Sequence, residues 1–405
     1  MIPVEPDGGR LVSLRWLIGS AFAALTGDGV RIAALPLYTA VSTHSPLAAS
    51  AVAVAEVLPW LLVAVPAGAL VDRGQPRRIV VTCHALRAVV VAALAVAVFT
   101  QHAGLPVLVV VAFLLTCGET FADAAFQSLL VSGAGPQRLE KANGNYVTAE
   151  TIGLDLAGPL LAGALFAWQP AACFAVNALT YATAAVCVAR LPRPAQPPPG
   201  QESAEPGTGF RRELLDGGRF LLGHADLRSL VLVVVLVAAA VSAGNALLPL
   251  YAVQSLGLRA ALVPTVWVAQ AIGTLLVARL LPALIARLGE GRVMMGTLLL
   301  LGAGFVVVGR APVAWPVWLG YFVIGVGSGG WNVLSATRRQ RLTPAPMMGR
   351  VTSSYRMLAW GLMPLGAAVA GPLARLTSLG AVFALAGGLV VLVALVLARR
   401  LFRAA

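Results

Sequence analysis

Twelve runs of about 20 apolar residues, joined by short connections, fix what this chain can become. A helix needs about 20 residues to cross the hydrocarbon core of a bilayer. The runs lie at roughly 14–40, 46–71, 78–100, 105–130, 142–168, 170–190, 227–252, 259–285, 292–310, 313–337, 350–374 and 379–399. Inside hydrocarbon every backbone N–H and C=O must find its partner within the segment, so such runs read as helices. The sequence therefore predicts an all-α membrane protein with twelve transmembrane helices. Composition agrees, since 59% of the 405 residues are hydrophobic and 11% charged, where a water-soluble surface needs about a quarter charged. An ordinary soluble enzyme, a disordered chain and a disulfide scaffold are excluded. Cys83, Cys117, Cys173 and Cys187 show no C-x-x-C spacing and read as small buried hydrophobes.

The net charge of +13 resembles a nucleic-acid signal, but the basic residues stand between the apolar runs. In a membrane protein that pattern sets orientation, and no nucleic-acid partner is expected. With both termini on one side, 22 Arg and Lys fall on that side and three (Arg259, Arg310, Arg375) on the other. The expectation is a multi-pass protein of the cell (inner) membrane with both termini cytoplasmic. Trp168, Trp315 and Trp318 then fall at the outer interface and Trp16 at the inner one. No cleavable signal peptide is expected, because the first apolar run is long and no small-residue cleavage site follows a short core.

The longest connection, 191–226, divides six runs from six. Its first part, Leu191-Pro-Arg-Pro-Ala-Gln-Pro-Pro-Pro-Gly, reads as an extended linker. Its second part, Phe210 to Leu222, sets Phe210, Leu214 and Leu221 opposite Arg211, Arg212 and Asp216, which predicts an amphipathic helix on the inner leaflet. Gly217 and Gly218 weaken it. The predicted organisation is a six-helix bundle at 1–190, a linker at 191–226 and a second six-helix bundle at 227–405.

The halves echo each other. Gly68-Ala-Leu-Val-Asp-Arg73 matches Pro282-Ala-Leu-Ile-Ala-Arg287 at an offset of 214; Gln127 matches Gln340, and Gly158-Pro159 matches Gly371-Pro372, both at 213. Three matches at equivalent places in a six-span unit point to duplication. Two six-helix pseudo-repeats about a central axis are one plan of secondary transporters, with the substrate site at the midplane.

These residues resemble the major facilitator superfamily. The loop Gly68-Ala-Leu-Val-Asp72-Arg73-Gly-Gln-Pro-Arg77-Arg78 is similar to its signature loop. Gly158-Pro159-Leu-Leu-Ala162-Gly163 in span 5 is similar to the antiporter motif of its exporters, carried here by Gly158, Pro159 and Gly163. Thr26-Gly-Asp28, Leu139-Glu-Lys-Ala-Asn143-Gly144 and the loop Gln340 to Arg350 resemble the branch of enterobactin exporters and macrolide-type efflux proteins. The resemblance implies the major facilitator fold, alternating access, and a gating role for Gly68, Asp72, Arg73, Arg77 and Arg78. By their own chemistry an acid and three Args at the inner face can bond helix-end carbonyls and exchange partners as that side opens.

Charges within the spans must face protein or water, because each costs about 2.5–3.5 kcal/mol at the bilayer centre. Asp28, Glu56, Glu119, Asp123, Glu150 and Asp155 all lie in the first six spans. Asp28 and Arg31 are three apart and can pair within the helix, and Glu119 and Asp123 share a face of span 4. If spans 1 and 4 line the cavity, as the resemblance implies, these acids share one site. Carboxylates so close in low dielectric cannot all ionise, the property of a proton carrier. Asp28, Arg31, Glu119, Asp123 and Asp155 are the candidates for proton coupling. His84 and Arg87 share a face of span 3, expected outside the cavity, and read as structural. In the second half the candidates for a substrate cavity are Asn245, Trp267, Gln270, Trp331, Asn332, Tyr355, Arg356 and Trp360; aromatics with a few amides suit a bulky, partly apolar molecule. The Gly325–Gly330 run reads as close helix packing.

The single lysine, Lys141, is followed by Ala, so no G-x-x-x-x-G-K-[ST] nucleotide loop exists. A gradient suffices: one charge crossing ~100 mV releases about 2.3 kcal/mol, which sustains roughly 40-fold accumulation of a neutral substrate at 1.4 kcal/mol per tenfold. The expectation is a monomeric exporter of a small, largely hydrophobic molecule (a drug, antibiotic or siderophore) by proton antiport, with the lipid bilayer as its solvent. The alternative is a facilitator or importer of a metabolite or lipid on the same scaffold. His44, His84, His102 and His224 form no H-x-x-x-H or H-E-x-x-H pair, so neither an intramembrane enzyme nor a metal site is expected, and no cofactor.

Overall fold

The computed structural model describes residues 7–134, 138–191, 208–344 and 347–403. Helices account for nearly all of them: α1 (Asp7–Thr43), α2 (Pro46–Arg73), α3 (Pro76–Phe99), α4 (Leu105–Ala134), α5 (Leu139–Glu150), α6 (Gly158–Trp168), α7 (Pro170–Ala189), α8 (Thr208–Gly223), α9 (Ala225–Leu250), α10 (Pro264–Leu288), α11 (Glu290–Gly309), α12 (Trp315–Leu342), α13 (Met348–Gly361), α14 (Met363–Leu376) and α15 (Leu379–Arg403). Among the described residues twelve stretches are long and apolar enough to cross a membrane, beginning with Leu14–Thr43 and ending with Leu379–Val396. Prolines open many of them: Pro46, Pro76, Pro170 and Pro264 each stand at a first helical position, where the missing N–H is an orphan anyway.

Two spans are interrupted. Span 5 runs from α5 through a π-helical stretch, Thr151–Ala157, into α6. Pro159 removes one N–H and crowds the carbonyl four residues back, and the turn ahead of it widens. Span 11 breaks at Leu362, between α13 and α14, just before Pro364.

The chain divides into two compact units, residues 1–35 with 62–206, and residues 36–61 with 207–405. The first unit pairs α3 with α7 and with α4. Its apolar core includes Leu17, Val80, Phe126, Leu130 and Val188. Span 5 meets span 1 through two glycines: a Cβ on Gly158 would stand 2.5 Å from the Gly29 Cα. The second unit pairs α12 with both α10 and α11, and α11 with α15. The Gly325–Gly330 run does pack helices closely. Gly325 and Gly329 meet Gln270 and Thr274 of α10, while Gly327 and Gly330 meet Leu301 and Thr297 of α11. The four cysteines are free thiols, Cys173 and Cys187 buried.

The stretch after the Pro-rich linker forms helix α8, but it does not lie free on a leaflet. Leu221 is fully buried in the core of the second unit, Gly217 lies against the Arg350 backbone and Ser354 of α13, and Asp216 stands 4.0 Å from Arg350. The glycine that weakens α8 as a helix is what lets it dock. The linker itself, at 192–207, and the side chains of Phe210 and Leu214 lie outside the described residues.

Candidate functional site

Five side chains from four helices of the first unit meet in one buried cluster: Asp28 and Arg31 of α1, Arg87 of α3, Glu119 of α4 and Tyr181 of α7. The Arg31 Nη2 donates to the Glu119 Oε2 at 2.7 Å, and its Nε lies 3.6 Å from the Asp28 Oδ1. The Arg87 Nη2 donates to the Asp28 Oδ1 and to the Tyr181 hydroxyl at 2.7 Å, and lies 3.5 Å from the Glu119 Oε2. The Tyr181 hydroxyl in turn donates to the Asp28 Oδ1 at 2.6 Å. The Arg87 guanidinium also lies over the Tyr181 ring, 4.1 Å from its centroid, and His84 stacks on that ring at 6.1 Å. Side-chain exposure is 3% for Arg87, 6% for Asp28 and 2% for Arg31.

Local sequence makes this possible. Gly118 clears the path of the Arg87 stem, since a Cβ there would sit 2.8 Å from the Arg87 Cγ. The three-residue spacing of Asp28 and Arg31 keeps both on one face of α1. Burying a charge costs several kcal/mol unless it is paired and bonded, and here two cations meet two carboxylates with a phenol bonded to both sides.

Asp123, one turn beyond Glu119 on α4, stands apart. It is half-buried and forms no hydrogen bond or ion pair with a described residue. The charges acting on it are Glu119, Asp28, Arg87 and Glu150. Asp155 lies exposed on the π-helical stretch of span 5, outside the cluster.

Of the signature loop, Arg77 bonds helix-end carbonyls as its chemistry predicts. Its Nε donates to the Val188 carbonyl at 3.3 Å and its Nη2 to the Ala189 carbonyl, closing the last turn of α7. Arg78 is exposed and Gly68 faces open space. The side chains of Asp72 and Arg73 lie outside the described residues. Gly158, Pro159 and Gly163 are buried in α6.

The sequence-derived cavity residues of the second unit are spread out. The Tyr321 hydroxyl donates to Asn245 at 3.3 Å. Trp331 is 1% exposed and sits in the apolar core, while Trp267 is half-buried against it. Gln270 is half-buried and Asn332 exposed. Tyr355 is buried beneath the Arg339 guanidinium at 4.0 Å. Trp360 meets Trp60 edge to face at 5.2 Å, and the Arg356 side chain lies outside the described residues.

Arg87, set aside in the sequence as packing outside a cavity, is the hub of the cluster. Tyr181 was missed. The available signals were a cation at the middle of span 3 and a Tyr four residues after an Asn in the middle of span 6. Among the described residues no group of His, Cys, Asp and Glu is arranged to hold a metal ion.

The family model described as Major Facilitator Superfamily matches residues 17–365. An uncharacterised MFS-type transporter, y4rN, of Sinorhizobium fredii is 27% identical over 387 residues, 92% of this chain and 90% of that protein. The multidrug efflux pump Tap of Mycolicibacterium fortuitum is 28% identical over 381 residues, 89% of this chain and 90% of that one. Among solved structures, the nucleoside transporter NupG superposes with a TM-score of 0.78 at 16% identity, covering 96% of this chain and 99% of that one. A POT family transporter in complex with 5-aminolevulinic acid gives 0.74 at 13% identity, covering 99% and 98%.

Proposed function

We propose that this chain, which belongs to the major facilitator superfamily and is thus a multi-pass membrane transporter rather than an enzyme, exports a small, largely hydrophobic organic molecule by proton antiport. One observation carries the reading. In the first unit Arg31 and Arg87 balance Asp28 and Glu119, while Asp123 adds a third carboxylate that bonds no cation among the described residues. A carboxylate held in low dielectric without a cation bonded to it is costly, so the balanced cluster and Asp123 beside it reach neutrality together with one proton bound. A site that takes up and gives back one proton is what antiport requires.

Export is supported by the Gly158-Pro159 motif and by the likeness to a multidrug efflux pump. The cytoplasmic placement of both termini in the inner membrane is supported by the 22 to 3 division of basic residues. Two six-span lobes, 1–190 and 227–405, rocking in alternating access complete the reading, with Asp72, Arg73, Arg77 and Arg78 as the gate, Asp155 as a further proton-coupling candidate, and Trp267, Gln270, Asn332 and Trp360 toward the substrate.

The test is a drug-susceptibility panel in a pump-deficient host, with and without a protonophore. Protection against at least one compound, abolished by the protonophore and by Asp123→Asn at equal expression, is the expected result. Protection that survives the protonophore, with counterflow in vesicles lacking any gradient, would establish the facilitator instead.

A further inference from the structure

Two buried polar side chains of the first unit have no part in the cluster and, among the described residues, no hydrogen-bond partner. Asn177 of α7 is 0% exposed, and neither its Oδ1 nor its Nδ2 meets a hydrogen-bonding group. Thr116 of α4 is 1% exposed, and its Oγ1 likewise meets none. Each such group costs stability that an apolar side chain of the same size would not.

Their places are related. Asn177 lies four residues before Tyr181, toward the Pro170 end of α7. Thr116 lies three residues before Glu119, toward the Leu105 end of α4. Both ends lie on one side of the membrane, the outer side in the orientation proposed above. The Asn177 amide reaches the α1 backbone beside Asp28, since a Cβ on Gly27 would stand 2.5 Å from its Nδ2. Asp123 lies on the opposite side of the cluster, toward the Ala134 end of α4.

We propose that the first unit holds a proton conduit of its own, leading from the Leu105 and Pro170 ends of α4 and α7 past Thr116 and Asn177 to Asp28, with Tyr181 as the relay. An amide and a hydroxyl each donate and accept, so they hold water in either orientation, as proton hopping requires. The step balances without a co-reactant. The Tyr181 hydroxyl gives its proton to the Asp28 carboxylate to which it is already bonded and takes one on its free lone pair from a hydronium ion, which leaves as water. Tyr181 ends unchanged and Asp28 ends as a carboxylic acid. Arg31, Arg87, Glu119 and His84 face the same carboxylate or ring, and Asp123 receives the proton on the far side. The conduit rests on the antiport reading, but it is tested without a substrate.

The experiment is infrared difference spectroscopy on proteoliposomes of the full chain, with deuterium oxide as the probe. Acidifying the outer medium raises a carboxylic C=O band, identified by its absence in Asp28→Asn, and that band shifts when the carboxyl proton exchanges. In Thr116→Val with Asn177→Leu the band is kept, but its shift slows about tenfold, the weight of one lost hydrogen bond in a transfer path. Thr116→Ser restores the rate. A shift as fast in the double variant as in the parent overturns the conduit, and so does a parent with no such band. Should the double variant fail to insert, Thr116→Val alone, which keeps the shape and removes only the hydroxyl, decides the same way. Loss of protonophore sensitivity in the susceptibility panel would instead overturn the antiport reading, whatever the infrared rates.

Discussion

Arg87 and Asp28, on α3 and α1, form a buried ion pair that Tyr181 bonds on both members. Neither helix could carry its charge alone in hydrocarbon. The pair makes α1 and α3 depend on each other for insertion, and Arg31 with Glu119 extends the dependence to α4.

Removing one member should therefore cost more than removing both. Arg87→Met leaves Asp28 and Glu119 buried with a single cation, a loss of about 3–5 kcal/mol for a broken buried pair. Arg87→Met with Asp28→Asn restores the charge balance and recovers most of that. Thermal melting of the purified protein in detergent checks both. A double variant no more stable than the single one would mean that Arg87 works through packing and not through its charge.

Tyr181→Phe keeps the ring beneath the guanidinium and removes only the hydroxyl. Two bonds to charged groups are lost, each worth about 1.5–3 kcal/mol, less whatever Arg87 and Asp28 recover by closing on each other. The expected outcome is a melting temperature lowered by several degrees and a changed pH profile of transport. A merely structural role for the hydroxyl would move the first and leave the second.

How much of this could be read from the residues depends on range. The twelve spans were legible because an apolar run of fixed length has one use in a bilayer. The pairing of Asp28 with Arg31 was legible because it is local to one helix. The role of Arg87 was not, because it depends on which face of α3 meets α1, α4 and α7, and helix rotation is set by contacts far apart in sequence. Gly118 beside Glu119, which makes room for the Arg87 stem, is one residue among many glycines until α3 is laid against α4. The same holds for α8: its two glycines argued against a helix, and the use of one of them, Gly217, emerges only with the Arg350 backbone alongside.

Docking of α8 should fail when Gly217 gains a side chain. A Cβ there would stand 2.6 Å from both the Arg350 backbone and the Ser354 hydroxyl, a clash that overpacking studies put at about 1–3 kcal/mol. Gly217→Val should speed hydrogen exchange at the amides of 217–223, while the amides of α12, in the same unit, stay protected. Gly218→Ala, at a glycine with nothing within 4 Å, serves as the control and should slow exchange through its better helix propensity. Equal protection in the parent and Gly217→Val would mean that α8 is held by Leu221 alone.

The contact between Gly29 and Gly158 brings span 1 and span 5 closer than any side chain allows. A Cβ on Gly158 would meet the Gly29 Cα at 2.5 Å and the Gly153 carbonyl at 2.9 Å, and both are backbone, so neither can turn aside. Gly158→Ala must push α6 away from α1 next to Asp28 and next to the widened turn that Pro159 imposes. The loss should reach about 1–3 kcal/mol and fall on transport more than on insertion. The helices remain apolar, but Asp28 sits one residue from the displaced contact. Pro159→Ala has the opposite character: it returns the missing N–H, tightens the Thr151–Ala157 turn and stabilises the helix by up to about 3 kcal/mol. Efflux at equal membrane abundance, measured beside melting temperature, separates the two. If the widened turn matters to the transport cycle, Gly158→Ala is less stable and less active, whereas Pro159→Ala is more stable and less active. A Pro159→Ala protein with both higher stability and full efflux would reduce the π-helical turn to a consequence of Pro159 with no use in the cycle.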